Sequence, residues 1–155
     1  VKTLFAADGV VTPSCSKSHI TYTLHLRAPV DELVVDFAYE PKTLDDEMKA
    51  KLLIFEGLQN FILPEHLEAS QKNWRAYLPL QNLLTLSFDD ENGFRGAGHR
   101  HDPVQRLKIA SEEASPGLIP GQLPRGQFRV TISLHCVVSE QVRYNLRIVE
   151  GGQGG

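Results

Sequence analysis

Cysteine is scarce in this chain: Cys15 and Cys136 are the only two thiols in 155 residues. That excludes a framework of several disulfides, and the pair could bond only if the fold brought them within bridging distance. Cys136 falls on the apolar side of an alternating segment, so both read as reduced thiols acting as small hydrophobes. Long apolar runs are missing too. The longest, Leu52-Leu53-Ile54-Phe55, is far short of the ~20 residues that carry a helix across a bilayer. The opening stretch VKTLFAADGVV has neither the apolar centre nor the small-residue cleavage pattern of a secretory signal. The expected compartment is cytoplasmic, with no membrane partner. No charge of one sign dominates, since 16 basic residues face 19 acidic ones, mixed along the chain. Without a Lys/Arg stripe interleaved with aromatics, nucleic acid is not an expected partner. Internal repeats, HExxH, CxxC and the G-x-S-x-G elbow are all absent.

What remains is a chain with 41% hydrophobic residues, enough for a packed core at a length that buries roughly two-thirds of the unfolded surface. Ile20 to Leu26 alternates strictly, with Ile20, Tyr22, Leu24 and Leu26 on one face and Thr21, Thr23, His25 and Arg27 on the other. A period of two marks a strand with one wet face. Leu33, Val35, Phe37 and Tyr39 repeat the pattern until Pro41 removes a ladder donor. Further strands are expected at Leu84–Phe88, Val104–Ile109, Phe128–Cys136 and Val142–Ile148. Between them, Thr43 and Asp46 read as a helix start, followed by Met48, Leu52, Phe55 and Leu58 or Gln59 at helical spacing. A second helical stretch is expected between Pro64 and Tyr77. The fold class is therefore mainly β: an antiparallel β-sandwich with a helical insert at about 43–78. One domain is expected over 1–150, with 151–155 a Gly-rich tail or the start of an interdomain linker.

Candidate chemistry concentrates between Leu83 and Val130, a run that reads as one continuous edge-to-edge β unit. His99 and His101, two apart on a strand, would share a face and are candidate metal ligands, with Asp89, Asp90 or Asp102 as a third. A solvated loop explains the same residues. Asp89, Asp90, Glu91 and Asn92 could offer oxygens to calcium, yet Asp-Asp-Glu-Asn-Gly is also what a tight turn requires. His25 and His135 would approach each other only if their strands were neighbours in the right register. Ser14-Cys15-Ser16 lacks a nucleophile context, and Gly93, Gly96 and Gly98 precede no helix start. Trp74, Tyr77 and Phe94 could form a sugar-stacking platform or simply pack. On its own residues the chain does not read as an enzyme.

Three segments carry a resemblance: LLTLSFDDENGFRGAGHRH (Leu83–His101), IASEEASPGLIPGQLPRGQFRVTI (Ile109–Ile132) and VRYNLRI (Val142–Ile148). In this order they are similar to the N-terminal domain of CehA/McbA-like metallohydrolases of the polymerase-and-histidinol-phosphatase (PHP) type. The resemblance implies a sandwich of jelly-roll or pre-peptidase-like shape standing before a metal-dependent, phosphoesterase-like catalytic domain. It implies no catalytic residue and no cofactor in this chain, divalent metal belonging to the associated domain. The implied partner is that metallohydrolase domain or a second copy (a homo-oligomer). The segment Gly93–His101, with Phe94, Arg95 and Arg100, is the expected contact surface, and Ser115–Gly126 the expected rigid spacer. Two other readings stand beside it: a carbohydrate- or small-ligand-binding sandwich, and a small metal-dependent hydrolase built on His99 and His101.

Overall fold

A computed structural model describes residues 2–151; the notional tail beyond Gly151 lies outside them. Eight long strands make two antiparallel sheets of four. One has the order β1 (Lys2–Val11), β10 (Val142–Glu150), β3 (Glu32–Glu40), β8 (Val104–Ala110). The other runs β2 (Ser18–Leu26), β9 (Gly126–Cys136), β6 (Leu83–Asp90), β7 (Gly93–Gly98). The partners are nested: β1 with β10, β2 with β9, β3 with β8, and β6 with β7. A long hairpin rolled on itself gives this order, which is the jelly roll. The run 83–130 is consequently not one continuous unit. β6 and β7 form a hairpin in the second sheet, β8 crosses to the edge of the first, and β9 returns.

Alternation puts one face of every strand into the space between the sheets. Leu33, Val35 and Phe37 of β3 meet Leu84, Leu86 and Phe88 of β6, with Phe128, Val130, Ile132 and Leu134 of β9 and Leu146 and Ile148 of β10; all are buried. The Phe88 and Phe128 rings stack with centroids 6.0 Å apart. Each such side chain contributes about 1.5–3 kcal/mol through burial. β1, which the sequence pattern did not reveal, is an edge strand with a register shift between Thr3 and Phe5. Gly9 stands beside the Tyr144 ring, where a methyl group would collide with it.

The insert between β3 and β6 holds a two-stranded ribbon, β4 (Thr43–Leu44) with β5 (Leu80–Gln81), and two helices, α1 (Glu47–Phe61) and α2 (Pro64–Lys72). Thr43 pairs with Gln81 rather than capping the helix, and Asp46 is the N-cap, its carboxylate accepting from the Lys49 N–H at 3.1 Å. The buried stripe of α1 is Ala50, Ile54 and Leu58, packed with Trp74. Met48 and Leu52, members of the helically spaced set, are 67% and 63% exposed. They lie roughly 120° and 160° around the helix from Ile54 at the centre of the buried stripe, so the apolar residues of α1 cover two faces and not one.

Asn82, fully buried at the base of the insert, ties it to the β9–β10 connection. Its Oδ1 accepts from the backbone N–H of Val138 (2.7 Å) and Ser139 (3.2 Å), and its Nδ2 donates to Pro41 O and Ser139 Oγ. The Lys49–Glu140 ion pair adds an exposed tie at 3.3 Å.

The Pro/Gly segment is more than a spacer between strands. Its Gly117 carbonyl accepts from Ala97 N–H of β7, and Ile119 N–H donates to Arg95 O. On the other side, Ser115 N–H donates to Lys108 O and Gly121 N–H to Ala110 O, both on β8. Leu123 and Val30 exchange two backbone bonds of 2.9 Å. This strap bonds the outer edges of both sheets and closes one flank of the sandwich. The opposite flank, between β1 and β2, has no such cover among the described residues.

Candidate functional site

Arg95 sits in the middle of β7, with its side chain buried at the strapped flank rather than presented to a partner. Its Nη1 donates to Asp90 Oδ2 at 2.7 Å, while Nη2 donates to the carbonyls of Ile119 (2.8 Å) and Gly121 (2.7 Å). The other Asp90 oxygen accepts from Asn92 N–H and Gly93 N–H, at 2.7 and 3.1 Å. The Asp-Asp-Glu-Asn-Gly stretch thus serves as a turn, with Asp90 linking that turn to the strap through Arg95. A planar guanidinium suits the position because its fork reaches a carboxylate and two carbonyls at once. The Arg95 side chain is thus committed to the chain's own turn and strap.

Strand β7 ends at Gly98, so His99 and His101 fall in the exposed β7–β8 connection and not on a shared strand face. Asp89 lies on the outer face of the second sheet, opposite Arg129 of β9 and Phe94 of β7. The structure does not bring these three together, and among the described residues no three His, Cys, Asp or Glu side chains are placed to share an ion. Arg100 is half-buried in the same connection, where its carbonyl faces Gln105 Nε2 at 3.5 Å. Gln105 was not legible as a structural residue. It is buried, its Nε2 donates to Asp102 O at 2.9 Å, and its Oε1 has no donor among the described residues.

The remaining candidates disperse. β2 and β9 are neighbours, but their register sets His25 opposite Gln127, and His135 instead bonds Thr85 Oγ1 at 2.7 Å. Trp74 is buried in the insert with Lys51 and Arg75 over its ring. Phe94 is exposed on the far sheet, so the aromatics form no common platform. Both cysteines are free. Hydrogen bonds from Thr12 lower the Cys15 pKa, whereas burial raises that of Cys136.

Three surfaces remain as places for binding. The first is the apolar outer side of the insert, where Met48, Leu52, Phe61 and Leu63 are exposed. A groove of about 490 Å³ separates α1 from the sandwich, lined by Leu53, Ile54, Leu80 and Val137 among others. The second is the outer face of the second sheet, polar and rich in hydroxyls. His19, Ser133 and Thr85 form one cross-strand row, Thr21, Thr131 and Ser87 the next, and Thr23, Arg129, Asp89 and Phe94 the third. The third is the open flank. There Tyr22 and Tyr144 share a 2.5 Å hydrogen bond and Phe5 packs on Tyr22. Burial, then the bond to Tyr22, push the Tyr144 phenol pKa upward. At one end of this flank Leu4, Leu24, Leu26 and Val30 line a groove of about 450 Å³.

No helix among the described residues is long and apolar enough to cross a membrane. No family model matches the chain, and no curated protein matches it. Among solved structures it is similar to the P-domain of Penaeus vannamei nodavirus, at 11% identity over 97% of this chain and 100% of that one, with a TM-score of 0.32. It is also similar to a protein of Sulfurospirillum deleyianum, at 7% identity over 95% and 99% of the two chains, with a TM-score of 0.35. At these scores neither likeness carries an argument about what the chain does.

Proposed function

We propose that this chain is a non-catalytic β-sandwich module that works by packing against a partner domain through its helical insert. The partner that the resemblance implies is a PHP-type metal-dependent hydrolase. The observation that carries the reading is the two-sided helix α1. Ala50, Ile54 and Leu58 are spent on the module itself, while Met48 and Leu52 present an apolar surface outward. Exposed apolar side chains grouped on one element mark interaction sites. The buried polar groups support the same reading, because Asp90, Arg95, Asn82 and Ser139 are engaged in bonds that hold loops together. Among the described residues they form no convergent set of acid, base and nucleophile.

The test has two arms. The chain alone, supplied with manganese or zinc, is expected to hydrolyse p-nitrophenyl phosphate no faster than buffer; metal-dependent turnover would end the non-catalytic reading. In the second arm, binding to a PHP-type hydrolase domain is measured by calorimetry. Met48→Asp with Leu52→Asp should weaken binding by ~tenfold or more. Absence of binding by the unsubstituted chain rejects the docking role.

A second reading is favoured by the third cross-strand row. Thr23, Arg129, Asp89 and Phe94 place a cation, a carboxylate and an exposed ring side by side on one sheet face, a combination that suits sugar hydroxyls and a sugar's apolar face. Glycan binding lost on Phe94→Ala would support it.

A further inference from the structure

Four strands lie at the edges of the two sandwich sheets, and three of them are guarded. The edge of β7 is bonded to the strap through Gly117 and Ile119. That of β8 is bonded by Glu113, Ser115 and Gly121. β1 is broken by its register shift near Thr3 and carries Asp8 and Gly9 in its second half. Shifts, charges and covering segments are how sheet edges avoid pairing with other chains. Among the described residues, β2 has none of them. Ser18 to Leu26 pairs with β9 without interruption and contains no proline, glycine, lysine, arginine or carboxylate.

Two further features of β2 point to a missing neighbour. Its inward side chains Ile20, Tyr22 and Leu24 are only part-buried, whereas the residues facing them on β9 (Ile132, Val130 and Phe128) are fully buried. A strand added outside β2 would complete the burial of that row. The sequence His19-Ile20-Thr21-Tyr22-Thr23-Leu24-His25 is also chemically the same read in either direction. A strand with this symmetry is complementary to its own antiparallel copy.

We propose that two copies of this chain associate through β2, antiparallel about a two-fold axis at Tyr22, joining their second sheets into one continuous sheet. In that register Thr21 faces Thr23 of the partner subunit, Ile20 faces Leu24 of the partner subunit, and His19 faces His25 of the partner subunit. Hydroxyl pairs and apolar pairs directly opposite each other stabilise antiparallel strands, and one patch used by both copies gives a closed dimer rather than a fibre. The one unfavourable approach, Lys17 toward Arg27 of the partner subunit, falls beyond the last residues of the strand. This association goes beyond docking through the insert and uses a different surface.

The test is sedimentation of the whole chain across the micromolar to millimolar range, with two double substitutions at the exposed, outward positions of β2. The unsubstituted chain is expected to double in mass as concentration rises. Thr21→Lys with Thr23→Lys opposes like charges across the axis and should weaken the dimer by ~tenfold or more. Thr21→Lys with Thr23→Glu opposes unlike charges and should keep it. Thermal unfolding checks that both variants fold like the parent. Met48→Asp with Leu52→Asp should leave the dimer unchanged, which separates this interface from the proposed docking face. A chain that stays monomeric throughout, even one that accepts a foreign extended peptide on β2, overturns the proposal. So does a dimer indifferent to the Thr21 and Thr23 substitutions, or one that both pairs abolish equally.

Discussion

At the scale of single residues, the strongest polar commitment in the molecule is the contact of Arg95 with Asp90. Both side chains are more than nine-tenths buried, and the guanidinium also holds the Ile119 and Gly121 carbonyls. Its worth lies less in Coulomb attraction than in what its loss would leave behind, since removing one member strands a buried charge and two strap carbonyls. Arg95→Ala is expected to cost about 3–5 kcal/mol in urea unfolding. Arg95→Lys should lose part of that, because an ammonium lacks the planar fork. A cost near zero for Arg95→Ala would mean that the strap is held by its backbone bonds alone. Nothing around Arg95 in sequence announces this role. An Arg in a Gly-rich stretch looks available for binding, and its partner becomes visible only when the β6–β7 hairpin closes.

Among the elements, strands with strict alternation were legible because their period is local: each residue's face follows from its neighbour's. Ile20–Leu26, Leu33–Tyr39, Phe128–Cys136 and Val142–Ile148 all turn every second residue, the apolar set read from the pattern, inward. β1 escaped because Ala6, Ala7, Asp8 and Gly9 blur the period. The inward face of α1 escaped for the opposite reason, an excess of signal, since its apolar residues cover most of the helix circumference. The strap shows how glycine is used at a close approach. Gly96 has φ +112° and its missing side chain leaves room for the Gly117 carbonyl. Gly96→Ala should cost about 2–4 kcal/mol from backbone strain and collision together. Gly93, at φ +132° with open space around it, supplies the control. There alanine meets strain alone, and thermal unfolding should show the smaller loss.

Viewed whole, the molecule has two cores of unequal size. The sandwich buries a continuous layer between its sheets, while the insert relies on Ile54, Leu58 and Trp74 with a few half-buried neighbours. Small, exposed packing opens at lower free energy than a central sheet. Hydrogen exchange is therefore expected to be fastest in α2, which buries no residue, and slowest in β9 and β10. Equal protection across both would mean that insert and sandwich open only together. By itself the sequence determined that an apolar layer lies between pleated strands, that a helical insert interrupts them, and that the Asn92-Gly93 turn ends β6. These follow from spacings of two to four residues. Only the tertiary structure decided the nested strand order, the inward side of α1, the burial of Arg95, and the contrast between a strapped flank and an open one. Each of those depends on which distant segments meet, and pairing register across a sheet is not encoded in the local period of any one strand.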